Sequence, residues 1–323
     1  MKAAVIYHQG ELPQYADVDE PTVQNGDELL MTVKAAAIKH FDKGRATGKH
    51  YSADPDKKNA TVIGGDGVGF LADGTRVFAL GVSGMIAEKA TVEKSRMVKL
   101  PDGIDDVTAA ALPNAVAGSA MALRFRAVMQ SGETVLINGA TGFTGKIAVQ
   151  VAKHYGAKKI IVTGRNEKSL QSLLALGADE TIPITQDDGK FMTRIKEIHK
   201  NSPIDIVIDY LWGHTAELIL ASFKGKGSFT HKTRFVSIGA VTGDKIQLSA
   251  ENLRSVDLQL SGSGLGSWTK DEVKKLFGEI ISEMFQLAAD RKLKVDTEKV
   301  SLTDIEKLWD MEVPDGRRLV VTM

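Results

Sequence analysis

The chain has 323 residues, with 41 basic and 41 acidic side chains and no cysteine. This length predicts two domains, because a domain typically has about 100–200 residues. The balanced charge argues against a dedicated nucleic-acid binder, and the lack of cysteine excludes disulfide scaffolds, thiolate nucleophiles and cysteine-ligated zinc.

The N-terminal third is predicted to be rich in β-structure. Short apolar runs alternate there with Gly, Asp and Pro turn signals. The spacing of the runs is typical of a small barrel or a curled sheet. The predicted strands are Lys2–Tyr7, Glu28–Ile38, Gly74–Leu80, Met85–Val92 and Arg96–Leu100.

After Gly132 the pattern changes to a regular alternation of apolar strands and amphipathic helices. This alternation predicts a parallel sheet with helical crossovers. The predicted strands are Thr134–Asn138, Lys159–Thr163, Glu180–Pro183, Ile204–Tyr210 and Arg234–Ile238. The chain then continues through an amphipathic helix, Lys270–Asp290, and ends on a strand, Arg317–Thr322.

No segment of the sequence indicates contact with a membrane. No stretch approaches the roughly 20 apolar residues that span a bilayer, and the first residues lack the apolar run of a secretory signal. We therefore expect a cytoplasmic protein that binds neither membrane nor nucleic acid.

The most informative motif is a glycine-rich turn between a strand and a helix. Gly139 permits a tight turn, Gly142 lets the backbone approach a pyrophosphate, and Gly145 allows close packing of helix on strand. The helix N-terminus supplies N–H groups and a positive dipole. The spacing predicts a dinucleotide site lined by Gly139, Ala140, Thr141, Gly142, Phe143, Thr144 and Gly145.

The end of the next strand indicates which dinucleotide binds. An NAD site places Asp or Glu there, whereas this chain has Gly164 and Arg165, with Lys168 one turn later. Cations at these positions suit the 2′-phosphate of NADP. The alternative is that Arg165 is only a solvated surface residue.

Several segments, taken together, resemble the zinc-independent quinone oxidoreductases (zeta-crystallin-like) among the medium-chain dehydrogenases/reductases. The resemblance covers essentially the whole chain. Its carriers are Met1–Val5, Val62–Gly69, Gly74–Val77, Val98–Gly103, Ala109–Pro113, Gly132–Gly145 and Gly316–Val321.

The resemblance implies an α/β fold in which a GroES-like β-barrel catalytic domain is split around a Rossmann-type, doubly wound parallel-sheet domain. The implied boundaries give residues 1–117 and 259–323 to the catalytic domain and 118–258 to the NADP-binding domain. It also implies a homodimer joined through edge strands of the cofactor domains.

The positions that hold catalytic zinc in related dehydrogenases differ in this chain. The family's Cys-x-x-Asp pattern becomes Lys39-x-x-Asp42, and its Gly-His-Glu triplet becomes Gly64-Gly65-Asp66. Because the cysteine and histidine ligands are both absent, we expect no metal site.

Without zinc, other groups must stabilise the charge that develops on a substrate oxygen. The resemblance places Lys39 where a zinc ligand would stand, so its ammonium is the first candidate, with Tyr51 and Asn114 as further donors and Asp42 as an orienting carboxylate. The alternative for Lys39 is a strand-end lysine that reaches solvent.

Further cofactor contacts are expected from the resemblance and from loops that follow parallel strands. These residues are Ser119, Tyr210, Ser237, Gly239, Ala240, Gly262 and Gly264. The sequence thus predicts an NADPH-dependent, zinc-free reductase of quinones or α,β-unsaturated carbonyl compounds. A non-catalytic NADPH-binding sensor on the same fold is the alternative, and an alcohol dehydrogenase is less favoured because the zinc ligands are missing.

Overall fold

A computed structural model describes residues 1–50, 53, 60–225, 227 and 230–323. They form two compact units. The barrel unit comprises Met1–Asn114 and Phe277–Met323, and the sheet unit comprises Ala115–Leu276.

The strands alternate with helices mainly in the second unit. In chain order they are β1 (Lys2–Ile6), β2 (Gln14–Asp17), β3 (Glu28–Ala37), β4 (Thr61–Val62), β5 (Asp66–Leu71), β6 (Arg76–Gly81), β7 (Lys89–Lys99), β8 (Thr134–Asn138), β9 (Lys159–Gly164), β10 (Glu180–Pro183), β11 (Ile206–Asp209), β12 (Thr233–Ser237), β13 (Leu258–Gly262), β14 (Thr297–Ser301) and β15 (Arg318–Thr322).

The α-helices are α1 (His40–Ala46), α2 (Asp106–Met121), α3 (Phe143–His154), α4 (Glu167–Leu174), α5 (Asp188–Asn201), α6 (Gly213–Ser222), α7 (Ala250–Ser255), α8 (Lys270–Lys275), α9 (Ile281–Ala289) and α10 (Ile305–Leu308). Two π-helical turns, Ala122–Arg126 and Leu276–Ile280, follow α2 and α8. Short 3-10 turns lie at Leu265–Ser267, Leu302–Asp304 and Pro314–Gly316.

The sheet unit is built on six parallel strands in the order β10-β9-β8-β11-β12-β13. Its central strand β8 is buried along its whole length. Strands covered on both faces read as continuous apolar runs, which is why Thr134–Asn138 could be recognised from sequence. The parallel order brings the C-terminal ends of β8, β9 and β11 to one edge, directly before the loops that carry the glycine motif and its neighbours.

The barrel unit contains a six-stranded sheet in the order β14-β15-β3-β5-β6-β7. An additional antiparallel pairing of β3 with β7 closes β3, β5, β6 and β7 into a small barrel. A second, three-stranded sheet has the order β2-β1-β4. The barrel interior includes buried Met31, Ile86 and Trp309.

The predicted fold class is confirmed: a parallel Rossmann-like sheet is combined with a small closed barrel. One detail differs, because the predicted strands Met85–Val92 and Arg96–Leu100 belong largely to the single strand β7. Exposed polar residues in the middle of β7 interrupt the apolar pattern, and its pairing with β6 shifts register there.

The compact units divide the chain inside α2, after Asn114, and again after Leu276. β13 pairs with β12 and extends the parallel sheet. The domain boundaries implied by the resemblance, after residues 117 and 258, stay a prediction. Among the described residues, no helix combines the length and apolar character required to cross a bilayer.

Candidate active site

The glycine loop joins β8 to α3 and is shaped by close backbone packing. Gly139 adopts φ +85°, and a Cβ there would lie 2.7 Å from the Leu211 side chain. A Cβ on Gly145 would lie 2.6 Å from the carbonyl carbon of Ala140, so only glycine lets α3 pack this closely on the loop. The Ala140 N–H donates to the Thr163 carbonyl of β9 at 2.8 Å, which holds the loop on the sheet.

Gly142 differs from Gly139 and Gly145, the other two glycines of the motif, because it faces open space. It is the exposed N-cap residue of α3, and a Cβ there would meet no atom of the described chain within 4 Å. The first N–H groups of a helix lack partners within that helix and carry its positive dipole end. The twelve-residue helix α3 therefore presents an anion-binding end at an unfilled opening.

The ring of a buried tyrosine and the first turn of α3 both lie near one glycine of α2. The Tyr210 phenol oxygen is buried and has no hydrogen-bond partner in the described part of the chain. Its ring and Thr144, in the first turn of α3, both approach Gly118: a Cβ there would lie 4.0 Å from Tyr210 Cε1 and 3.6 Å from Thr144 Cγ2. Burial raises the pKa of Tyr210 far above its ordinary value, so the group stays protonated and can donate a hydrogen bond.

The end of β9 places the two predicted phosphate-binding cations on the surface. Gly164 is buried against the Thr141 side chain, whereas Arg165 and Lys168 are exposed. Asn166 caps α4 by accepting the Ser169 N–H at 2.8 Å. Exposure of Arg165 fits both a cation available to a phosphate and the solvated residue of the alternative interpretation.

The other predicted loop residues follow β12 and β13. A Cβ on Gly239 would lie 2.6 Å from the Tyr210 carbonyl oxygen, so the loops after β11 and β12 pack on each other. Ser237 pairs with Gly262 at the ends of their strands. Ala240 is exposed and Gly264 half-buried.

Three predicted residues are not brought into these loops by a described contact. The Ser119 hydroxyl is fully buried in α2 and donates to the Ala115 carbonyl at 2.9 Å, rather than facing an open phosphate site. Asn114 is half-buried in the same helix. Tyr51 lies outside the described residues.

Sequence reasoning missed a buried polar network beneath the glycine loop. Asn138, Thr163 and Asp209 are fully buried at the C-terminal ends of β8, β9 and β11. Asn138 donates to Asp209 at 2.7 Å and accepts from the Thr163 hydroxyl at 2.6 Å. The available signal was the recurrence of one polar residue at the end of each of three apolar strands.

In the barrel unit, Lys39 lies in a buried cluster of charges. Its side chain is 1% exposed, and its ammonium forms ion pairs with Asp66 and, at 3.3 Å, with Asp42. Burial alone would lower the Lys39 pKa, but the two carboxylates outweigh burial and raise it, so the ammonium stays charged. The alternative interpretation, a strand-end lysine that reaches solvent, is therefore wrong, because Lys39 is buried.

Asp42 and Arg318 connect this cluster to the surrounding backbone. Asp42 accepts the backbone N–H groups of Lys39 at 3.0 Å and Gly65 at 3.1 Å. Arg318, at the start of β15, donates to the Ile38 carbonyl at 3.3 Å. Burial lowers the pKa of Arg318 to about 10, and the charges of Asp42 and Asp66 limit that decrease. The Asp42 carboxylate thus links the backbones of Lys39 and Gly65.

Within the described ranges, no group of three or more His, Asp or Glu side chains is arranged to hold a metal ion. At the two positions where zinc ligands would stand, the structure has the ion-paired ammonium of Lys39 and the backbone of Gly65. An ammonium cannot serve as a metal ligand, and glycine offers no side-chain donor.

The chain is similar to known dehydrogenases and reductases. Residues 144–282 match the family described as zinc-binding dehydrogenase, a range that includes neither Lys39 nor Gly65. A probable NADPH-dependent quinone reductase of Emericella nidulans is 26% identical, over 96% of both chains. The quinone oxidoreductase of Thermus thermophilus, solved also with NADPH, is 25% identical, with a TM-score of 0.82 over the full length of both chains.

Over its full length the chain is thus similar to quinone oxidoreductases. A chloroplastic NADPH-dependent alkenal/one oxidoreductase of Arabidopsis thaliana is 32% identical, but that match spans 50% of this chain and 46% of the plant protein. The similar proteins are therefore named for both quinone and alkenal/one reduction.

Proposed function

We propose that the chain uses NADPH to reduce quinones or α,β-unsaturated carbonyl compounds without zinc. Its similarity to NADPH-dependent quinone and alkenal/one oxidoreductases makes it an oxidoreductase. The observation that carries the proposal is the opening at Gly142, at the N-terminus of α3 and at the C-terminal edge of a parallel sheet. The NADPH-dependent relatives support the cofactor, and their names support the substrate class.

The residues present fit a dinucleotide phosphate. The N–H groups of the first turn of α3 would hold the pyrophosphate at Gly142, where a side chain would fill the space. The buried Tyr210 hydroxyl has a free donor for a bound group. Arg165 and Lys168 would pair with the 2′-phosphate, and the loop residues after β12 and β13 would complete the site. The nicotinamide, when bound, supplies the hydride.

For the substrate oxygen we propose stabilisation by donors of this chain rather than by a metal. Asn114 and Tyr51 are proposed as direct donors. Lys39 has two possible roles, because its ammonium is already paired with Asp42 and Asp66. The pairing favours a positioning role, in which Lys39 holds the two carboxylates and the Gly65 turn, over direct donation, which requires release from a carboxylate.

We further propose that the protein forms a homodimer through β13. This strand lies at the end of the parallel sheet, and among the described strands of the sheet it pairs only with β12. Its outer backbone edge offers hydrogen-bonding groups to a second copy. A cytoplasmic location remains an expectation from the sequence.

The direct test is a turnover assay. Purified protein is mixed with NADPH or NADH and a panel of quinones and enones, and oxidation of the nicotinamide is followed by absorbance. We expect turnover with members of the panel and faster turnover with NADPH than with NADH. Tight NADPH binding without oxidation by any acceptor would instead support the sensor, and equal use of NADH would contradict the role of Arg165 and Lys168.

A further inference from the structure

We infer that Asn138, Thr163 and Asp209 are positioning residues of the dinucleotide site, acting as one hydrogen-bonded unit that sets the two loops around it. We call these three residues the strand-end network. Their proposed role rests on the proposed NADPH binding and extends it to residues beneath the glycine loop. None of the three has a side chain directed at an open surface, since all are fully buried. Their effect on a cofactor must therefore pass through the backbone that they hold.

On one side, the network holds the first residue of the glycine loop. The Gly139 N–H donates to the Thr163 hydroxyl oxygen at 3.1 Å, and that hydroxyl donates in turn to the side-chain amide oxygen of Asn138 at 2.6 Å. A hydroxyl has a single proton to donate, so Thr163 is committed as acceptor toward the loop and as donor toward Asn138. Gly139 has φ +85°, a conformation that this bond helps to fix.

On the other side, the network holds the loop after β11. The Asp209 carboxylate accepts the N–H groups of Leu211 and Trp212, both at 3.0 Å. Trp212 has φ +57°, which non-glycine residues rarely adopt and which requires support from its surroundings. The same carboxylate accepts from Asn138 at 2.7 Å, so this loop and the glycine loop share one chain of hydrogen bonds.

The two loops also touch each other where the network joins them. The Leu211 side chain packs against Gly139 so closely that a Cβ on this glycine would lie 2.7 Å from it. Tyr210, which carries the unpartnered hydroxyl, lies in sequence between Asp209 and Leu211 and is therefore held from both sides. Loss of one link would shift the backbone at Gly139 and the Tyr210 hydroxyl together.

The Asn138 amide group uses both its oxygen and its nitrogen in hydrogen bonds, and these bonds fix its orientation. Its amide oxygen accepts from Thr163, and its amide nitrogen donates to Asp209 and, at 3.2 Å, to the Thr215 hydroxyl. A flipped amide would present a donor to the Thr163 proton and an acceptor to the Asp209 carboxylate. Only one arrangement satisfies all members, so the network has one geometry to impose on the loops.

The test uses Thr163→Val, which keeps the shape of the side chain and removes the hydroxyl. Thr163→Ser restores the hydroxyl. Thr233→Val is the matched control, because Thr233 is also fully buried and donates to the Ile204 carbonyl at 2.8 Å, but at the opposite, N-terminal end of the sheet. For each variant, NADPH affinity is measured by fluorescence titration, stability by thermal unfolding, and KM for NADPH and kcat by turnover.

We expect Thr163→Val to weaken NADPH binding by about tenfold or more, with KM for NADPH rising more than kcat falls. Thr163→Ser should recover most of the affinity, and Thr233→Val should lower stability while leaving affinity within about twofold. If Thr163→Val does not fold, the same comparison is made with Asp209→Asn. Wild-type protein that binds no NADPH would overturn the proposed function. Two other outcomes would overturn this inference alone, provided that the wild type binds NADPH. One is an unchanged NADPH affinity in Thr163→Val or Asp209→Asn, and the other is an equal loss of NADPH affinity in Thr233→Val.

Discussion

Buried polar groups have different roles in the strand-end network of the sheet unit and in the charge cluster around Lys39 of the barrel unit. Around the glycine loop, neutral and singly charged groups form a directional network that holds backbone N–H groups. Around Lys39, two cations and two carboxylates neutralise each other. The first arrangement surrounds the open space at Gly142, whereas the second fills the positions that the resemblance aligns with zinc ligands.

The difference predicts unequal sensitivity to single substitutions. A network of hydrogen bonds loses one link at a time, whereas a buried ion-pair cluster that loses one charge leaves its partners uncompensated. Mutations in the barrel unit should therefore act first on folding, and mutations around the glycine loop first on cofactor binding.

The largest effect is expected from Lys39→Met. This change leaves the Asp42 and Asp66 carboxylates buried with one cation, Arg318, and should lower the free energy of unfolding by about 3–5 kcal/mol. The double variant Lys39→Met/Asp66→Asn restores the charge balance and should recover much of that loss. Thermal and denaturant unfolding of the two variants measures both effects.

The same pair of variants separates the two roles of Lys39. If Lys39 is a positioning residue, the folded double variant should keep turnover within a few fold of the wild type and bind NADPH equally well. A folded double variant with normal NADPH binding and a large loss of kcat would show instead that the ammonium acts on the substrate directly.

The glycine loop could be predicted from sequence because its signal is local. A strand, three glycines at fixed spacing and a helix lie within fifteen consecutive residues or so, and each glycine has one steric reason to be there. The ion pair of Lys39 with Asp66 and the hydrogen bond of Arg318 to Ile38 could not be predicted in the same way. Asp66 is 27 positions away, and Arg318 reaches Ile38 across 280 positions, so only the closed barrel brings them together.

The strand-end network is intermediate in how far the sequence predicts it. The sequence predicts the strands of Asn138, Thr163 and Asp209, yet it presents the residues themselves only as the polar ends of apolar runs. Their partnership depends on the strand order β9-β8-β11, which hydrophobic periodicity does not specify. The pairing of β13 with β12 is likewise a matter of strand order.

An intermediate effect is expected from substitutions of two glycines of the glycine loop, Gly145 and Gly142. Gly145→Ala forces a Cβ onto the Ala140 backbone and should lower the free energy of unfolding by about 1–3 kcal/mol as well as abolish tight NADPH binding. Gly142→Ala meets no protein atom, so stability should change by less than about 0.5 kcal/mol. Its added methyl group enters the opening, and the NADPH dissociation constant should rise about tenfold.

Unfolding curves and NADPH titrations of both variants check this contrast. Gly142→Ala protein that binds NADPH as the wild type does would place the phosphate elsewhere. Equal destabilisation by the two substitutions would mean that the opening at Gly142 is filled by the protein itself.

The smallest expected effect is a change in thermal stability in mild acid, where the two units should respond differently. Lys39 has a raised pKa and keeps its charge throughout the neutral and acidic range. In the sheet unit, burial and the neighbouring His231 lower the pKa of His199, with Asp205 partly opposing them. His199 Nδ1 accepts the Ile204 N–H at 3.1 Å, which requires the neutral ring.

A histidine whose pKa is lower in the folded state contributes stability that is fully present above its unfolded pKa of about 6.5 and is lost as the pH falls below that value. The ring of His199 is half-buried, so solvent screens part of the effect, and the acid-induced decrease in melting temperature attributable to it should be about 2 °C or less. His199→Asn keeps an acceptor for Ile204 without a titrating group and should flatten the melting temperature between pH 7 and pH 5 relative to the wild type. An unchanged pH dependence in His199→Asn would assign acid sensitivity to other groups and would remove this distinction between the units.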